Sequence, residues 1–274
     1  MTQLIVWLNA IANACASVLL APVASLPGWL SATLVAAVTG VLMLVVFKHT
    51  SNQPAIKRAR AAIKANLLAL SLFKESVLVS LRSQSRILVG VAKLLLLSLV
   101  PMLVMFVPIT LALFQLTLWF QARPIRVGED AVVTVKLAEG QSVSPQLATS
   151  PDFETTVGPV RVPSKNMVCW NVRARQDGVH RLEFDIGRHR FEKEFVVGER
   201  FMPVSRERPG WSWGRTLENP REAPFPPDSR VESIAIDYPQ RSGWTCGTNT
   251  WVFFWFIASM VVAFAVKPIL KVNL

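Results

Sequence analysis

Formal charge is missing from two long stretches of this 274-residue chain. Residues 1–47 hold no Asp, Glu, Lys, Arg or His, and residues 94–122 hold none either. Chemistry-bearing motifs are also missing. There is no nucleotide-cradling glycine loop, no paired-cysteine metal spacing and no HExxH, so nucleotide-dependent and zinc-peptidase chemistry have no foothold. The three histidines, His49, His180 and His189, are scattered over segments of opposite character, which suits surface roles better than a catalytic cluster. No enzyme, metal or cofactor is read from this sequence.

What is present is a basic segment between the two uncharged ones. Residues 48–93 carry Lys48, Lys57, Arg58, Arg60, Lys64, Lys74, Arg82, Arg86 and Lys93 against Glu75 alone, which supplies most of the chain's net charge of +11. Residues 121–249 are nearly balanced, with 18 Lys and Arg against 17 Asp and Glu. Excess positive charge that sits only beside apolar runs is the positive-inside signature of a membrane protein. A nucleic-acid binder would spread its charge over a groove or face, so no nucleic-acid partner is expected beyond ribosome contact.

Residues 1–25 are expected to form an amphipathic helix with Asn9, Asn13 and Ser17 stacked on one face. Two readings fit: it lies in the interface with that stripe towards water, or it dips into the bilayer with the stripe on a partner helix. Pro22 and Pro27 end it. Residues 29–47 are long enough to cross a hydrocarbon core of ~30 Å, with Trp29 at one headgroup region and Lys48 at the other. Within 48–93, Ser51 or Asn52 followed by Pro54 marks a helix start. Ile56, Ile63, Leu67 and Leu70 then share a face, and Val77, Leu81, Leu88 and Val91 repeat the pattern after Lys74-Glu75-Ser76. A cytoplasmic helical hairpin is expected, with a single long helix on anionic lipid as the alternative. Residues 94–120 form the second span, interrupted by Pro101 and Pro108.

Beyond Arg123 the period changes from helical to two. Val133, Val135 and Leu137 alternate with polar residues, as do Leu182, Phe184 and Ile186. Gly187-Arg188-His189 turns the chain back into Phe191, Phe195 and Val197, with Lys193 out of pattern. With 167–173, this predicts a sandwich-like β-domain over residues 123–200. Residues 201–249 form a Pro-, Trp- and Arg-rich arm with one more strand at 230–238. Residues 250–266 form a third span, and 267–274 a tail with Lys267 and Lys271. The expected fold class is membrane α-helical, with three spans, a cytoplasmic hairpin and an inserted all-β extracytoplasmic domain. Such a chain belongs in a bilayer, and a bacterial inner membrane fits best. Cys169 and Cys246 fall on the outer side, where a bridge between them and two independent thiols are both open.

Two stretches carry a family resemblance. FKHTSNQPAIKRARAAIKA (47–65) looks like the start of the cytoplasmic coiled coil of YidC-type membrane insertases. SLVPMLVMFVPITLALFQL (98–116) looks like the helix that follows it, with Pro101 and Pro108 in the family's P-x(6)-P spacing. Small three-span members, such as the insertase subunit of the endoplasmic-reticulum membrane complex and archaeal relatives, have a similar plan. The likeness implies a cofactor-free insertase or chaperone. Ser31, Thr33, Thr39, Thr110, Gln115 and Thr117 would line a polar groove, and Lys57, Arg58, Arg60 and Lys64 would meet clients or lipid headgroups. The bacterial groove arginine and two of five core helices have no counterpart here. The other reading is a structural or assembly subunit that binds a partner membrane protein through its β-domain.

Overall fold

The computed structural model describes every residue except 21, 73–76, 139–143, 188, 248–249, 271 and 273–274. The Lys74-Glu75-Ser76 interruption, Arg188 of the hairpin turn and Lys271 of the tail therefore lie outside the described residues. Two compact units form, Met1–Ala32 with Leu111–Phe254, and Thr33–Thr110 with Trp255–Leu274. Six α-helices and eight strands are described: α1 (Thr2–Leu20), α2 (Gly28–Thr50), α3 (Gln53–Leu72), α4 (Val77–Phe120), β1 (Asp130–Leu137), β2 (Gln146–Leu147), β3 (Phe153–Val162), β4 (Met167–Ala174), β5 (Gly178–Ile186), β6 (His189–Val197), β7 (Glu207–Pro209), α5 (Trp213–Glu218), β8 (Val231–Ile236) and α6 (Trp251–Leu270).

In the first unit the strands make two antiparallel sheets, ordered β3-β4-β1-β8-β7 and β2-β5-β6. Their inner faces share one core. Val133, Val135, Val172 and Ile234 come from the larger sheet, Leu182, Phe184, Ile186 and Phe195 from the smaller, all without solvent exposure. Trp170 meets Phe184 with ring centroids 5.5 Å apart. Period-two patterning puts every second residue of these strands in the core, and burying such a side chain is worth ~1.5–3 kcal/mol.

The domain does not end at residue 200. β8, from the proline-rich arm, pairs with β1 inside the larger sheet, and β7 forms its edge. Proline misleads here because Pro209 sits at the end of an edge strand, where a missing N–H costs nothing. The arm also covers the free edge of β6. Glu194 N–H donates to Glu222 Oε1 at 2.9 Å, Val196 N–H donates to the Tyr238 hydroxyl at 2.9 Å, and Arg208 donates to the Glu192 carbonyl. A sheet edge left open would be a template for unwanted pairing.

The same unit receives three helix segments. The end of α4 is held by Trp119 and Phe120 against Phe201, and by Phe120 against Trp251. α1 turns Asn9 and Asn13 inward. Asn9 donates to the Thr216 carbonyl and Asn13 to the Pro220 carbonyl, both at 2.7 Å, while Gln115 donates to Asn13 Oδ1 at 2.7 Å. Ser17 is exposed and bonds the Ala14 carbonyl of its own helix, and Leu4, Trp7, Ile11, Val18 and Leu19 are exposed as well.

In the second unit, Asn52 caps α3 by accepting from Ala55 N–H at 3.1 Å. α3 folds back on α4 where Gly90 meets Ile63; a Cβ there would come within 2.7 Å of Ile63. The second of these two helices has no boundary at residue 94. α4 runs 44 residues through Lys93, Pro101 and Pro108 without a break. Prolines are tolerated within apolar helices of this kind because neighbouring groups re-satisfy the freed carbonyls. Among the described residues four helices, α1, α2, α4 and α6, have the length and hydropathy to cross a bilayer. The chain is a membrane protein with a β-domain.

Candidate functional site

Within the second unit α2 and α6 touch at Gly40, where a side chain would collide with the Ser259 carbonyl at 2.4 Å. Beside this contact Trp255 Nε1 donates to Thr39 Oγ1 at 3.2 Å, and Thr39 returns its own proton to the Val35 carbonyl. Glycine lets backbones approach closely where no water drives helices together, and a hydroxyl–indole bond adds a specific tie. Next to this tight point a groove of about 330 Å³ opens. Each of three helices contributes a methionine to its wall: Met43 from α2, Met105 from α4 and Met260 from α6. The unbranched thioether chains adjust their shape to varied apolar surfaces.

The residues that the resemblance would place in a polar groove are divided between the two units, Thr33, Thr39 and Thr110 in the second and Ser31, Gln115 and Thr117 in the first. Of the six residues, only Thr39 lies in the methionine-lined groove. Thr110 donates to the Phe106 carbonyl and Thr117 to the Leu113 carbonyl, one turn back on their own helix. Thr117 faces a separate cavity beside β1 and β8. Gln115 is spent on Asn13. Ser31 is buried, its hydroxyl without a partner among the described residues, and Thr33 is exposed on α2. Hydroxyls on apolar helices bond backward to their own backbone, which keeps them from wetting a groove. The groove is apolar. Met43, Met105 and Met260 all fall in the uncharged stretches of their helices.

The basic residues do stand together on α3. Lys57, Arg58 and Lys64 are exposed and Arg60 half-buried. The bridge considered between Cys169 and Cys246 is not formed, and both cysteines are free. Cys169 lies opposite Thr134 within the larger sheet, Sγ 3.6 Å from Thr134 Oγ1, whereas Cys246 sits by the start of α2 near Gly28.

Outside the membrane segments, one polar cluster was not anticipated. Lys193, out of pattern in β6, is fully buried and ion-paired to Glu222, with Ser205 accepting through its carbonyl at 2.8 Å and its hydroxyl at 3.2 Å. Burial pulls the lysine below its ordinary value and Glu222 opposes that. Closed to solvent, the cluster locks the arm to β6. Burial likewise raises the Tyr238 phenol above its usual range. At the base of the domain Arg123 forks onto Glu129 at 2.7 and 2.8 Å, and this bond holds the carboxyl down at about 2. His180 is held between Asp152 and the Gln176 carbonyl, 3.2 and 2.9 Å away.

No family model, no curated protein and no solved structure matches this chain. The groove must be interpreted from its own geometry. Among the described residues no group of His, Cys, Asp or Glu is arranged to hold a metal ion.

Proposed function

We propose that this protein is a non-enzymatic membrane chaperone that seats apolar helical segments of other membrane proteins against the methionine-lined groove. The observation that carries the reading is the convergence of Met43, Met105 and Met260 from three different helices on one open, apolar surface. A client segment already coiled into a helix satisfies its own backbone, so an adaptable greasy seat is the chemistry it needs. The likeness of residues 47–65 and 98–116 to YidC-type insertases points to the same class of work. The apolar seat favours holding over the polar slide expected of an insertase.

In this reading α2, α4 and α6 cross a bacterial inner membrane. The basic α3 face lies on the cytoplasmic side, where each Lys or Arg adds about 1 kcal/mol of attraction to anionic lipid. The β-domain lies outside. The test is to replace Met43, Met105 and Met260 together with valine, keeping the wall apolar but stiff at χ1. Accumulation of newly made membrane proteins should fall while the chaperone's own level holds. Unchanged accumulation would reject the groove as a client seat.

A further inference from the structure

We propose that the first unit holds a phospholipid with a primary-amine headgroup in a cavity between α1, the end of α4 and the β-domain. The cavity measures about 450 Å³, and its wall combines apolar surface from Ala14, Leu118 and Trp119 with polar Asn13, Ser17 and Gln115 and the charged Glu194 and Arg221.

Its level relative to a bilayer follows from α1. Asn9 and Asn13, in the middle of that helix, donate to the carbonyls of Thr216 and Pro220. Those carbonyls belong to an arm segment that also carries Arg215, Glu218, Arg221 and Glu222. Four charged side chains around one short stretch cannot enter hydrocarbon without a large cost. The middle of α1 is therefore at headgroup depth. A helix pinned there lies along the surface, its outward Leu4, Trp7, Ile11, Val18 and Leu19 dipping into acyl chains. α1, though long enough, does not cross. A cavity between a surface helix and a water-exposed domain sits where a lipid headgroup passes into its chains.

The charged pair selects the headgroup. Glu194 and Arg221 are bonded to each other, through Arg221 Nε and Glu194 Oε1, and both face the cavity. The pair is neutral overall, so it offers an anionic lipid no net attraction. It presents a positive and a negative end side by side, which is the complement of an ammonium–phosphate zwitterion. An arginine bonded through Nε still has N–H groups for a phosphate oxygen, and a carboxylate accepts hydrogen bonds from a primary ammonium. A quaternary ammonium has no proton to donate. Phosphatidylethanolamine fits both ends, phosphatidylcholine one. The inference stands on the first unit alone and does not depend on the methionine groove.

The full chain, purified in detergent, would be titrated with dioleoyl phosphatidylethanolamine, phosphatidylcholine and phosphatidylglycerol and read by native mass spectrometry. The ethanolamine lipid should be retained at least fivefold over either of the others. Arg221→Gln should remove that preference, and Glu194→Gln should turn it towards phosphatidylglycerol. Because both residues also tie the arm to β6, Ala14→Trp serves as a second variant. It fills the cavity without touching the ion pair and should lower retention at an unchanged melting temperature. Equal retention of the three lipids by the unaltered chain, a preference for phosphatidylglycerol, or full retention by Ala14→Trp would each overturn the assignment.

Discussion

The β-domain and the helices of the second unit are held together by opposite means. In the β-domain, core residues from both sheets reach zero exposure and nearly every charge near the core has a named partner. In the second unit, Leu95, Leu96, Met102, Leu103, Phe106 and Phe264 remain exposed. Its helices are joined by close approaches at Gly40 and Gly90 and by one indole–hydroxyl bond. Water drives apolar side chains together in the first case. In lipid an exposed leucine costs nothing, so association depends on fit and a few polar ties. The β-domain is consequently specified many times over, whereas the helices of the second unit keep an open apolar groove between them.

The comparison breaks most sharply at the buried ion pair. Glu222→Ala leaves Lys193 buried without its counter-charge, with Ser205 still accepting from it, and should cost about 3–5 kcal/mol, read by chemical denaturation of the domain's tryptophan signal. Adding Lys193→Met to that variant should return most of the loss. If the single substitution is silent, the cluster does not lock the arm.

Gly40→Leu asks the same question of the membrane helices. The side chain would meet the Ser259 carbonyl and force α2 from α6, an overpacking cost of about 1–3 kcal/mol. Protease sensitivity of the α2 and α6 segments should rise while the β-domain transition stays in place.

A pH series separates the two regions differently. The Glu129 carboxyl is held at about 2, chiefly by its bond to Arg123, against an ordinary value near 4.5. A lowered acid contributes stability that is complete above its unfolded value and is lost as pH falls through its folded one. The Arg123–Glu129 pair should therefore support the domain fully above about pH 4.5 and give way towards pH 2. Because the pair is partly solvated its worth is about 1 kcal/mol. Glu129→Gln should flatten that part of the profile; an identical profile would dismiss the pair. The smallest effect belongs to Thr39→Val, which removes a bond worth about 0.6 kcal/mol within a membrane and should loosen α6 only slightly in thermal melts.

How far the sequence revealed these regions follows the same division. Alternation in β1, β5 and β6 pointed straight to Val133, Val135, Leu182, Phe184 and Ile186 as core, because burial on one face of a sheet enforces a period of two. Asn52 and Pro54 marked the start of α3 by local chemistry alone. Lys193 stood out of pattern, but nothing local identifies a partner 29 residues away in a proline-rich arm. The strand at 230–238 was legible in the same arm, but its place beside β1 is a long-range pairing that nothing local shows. The resemblance, not the residues themselves, put Thr110 and Thr117 in a polar groove; here each hydroxyl reaches the carbonyl of its own helix four residues back. Composition also suggested a boundary at residue 94, where charge stops but helical hydrogen bonding does not.

The most direct measurement is photocrosslinking from a benzoylphenylalanine placed at Met105, and in parallel at Thr110, in cells synthesising new membrane proteins. The account predicts many short-lived adducts to nascent membrane proteins from Met105 and far fewer from Thr110. One stable adduct to a single mature protein, or equal labelling from both positions, would contradict a client seat and make the helices the anchor of a dedicated assembly subunit.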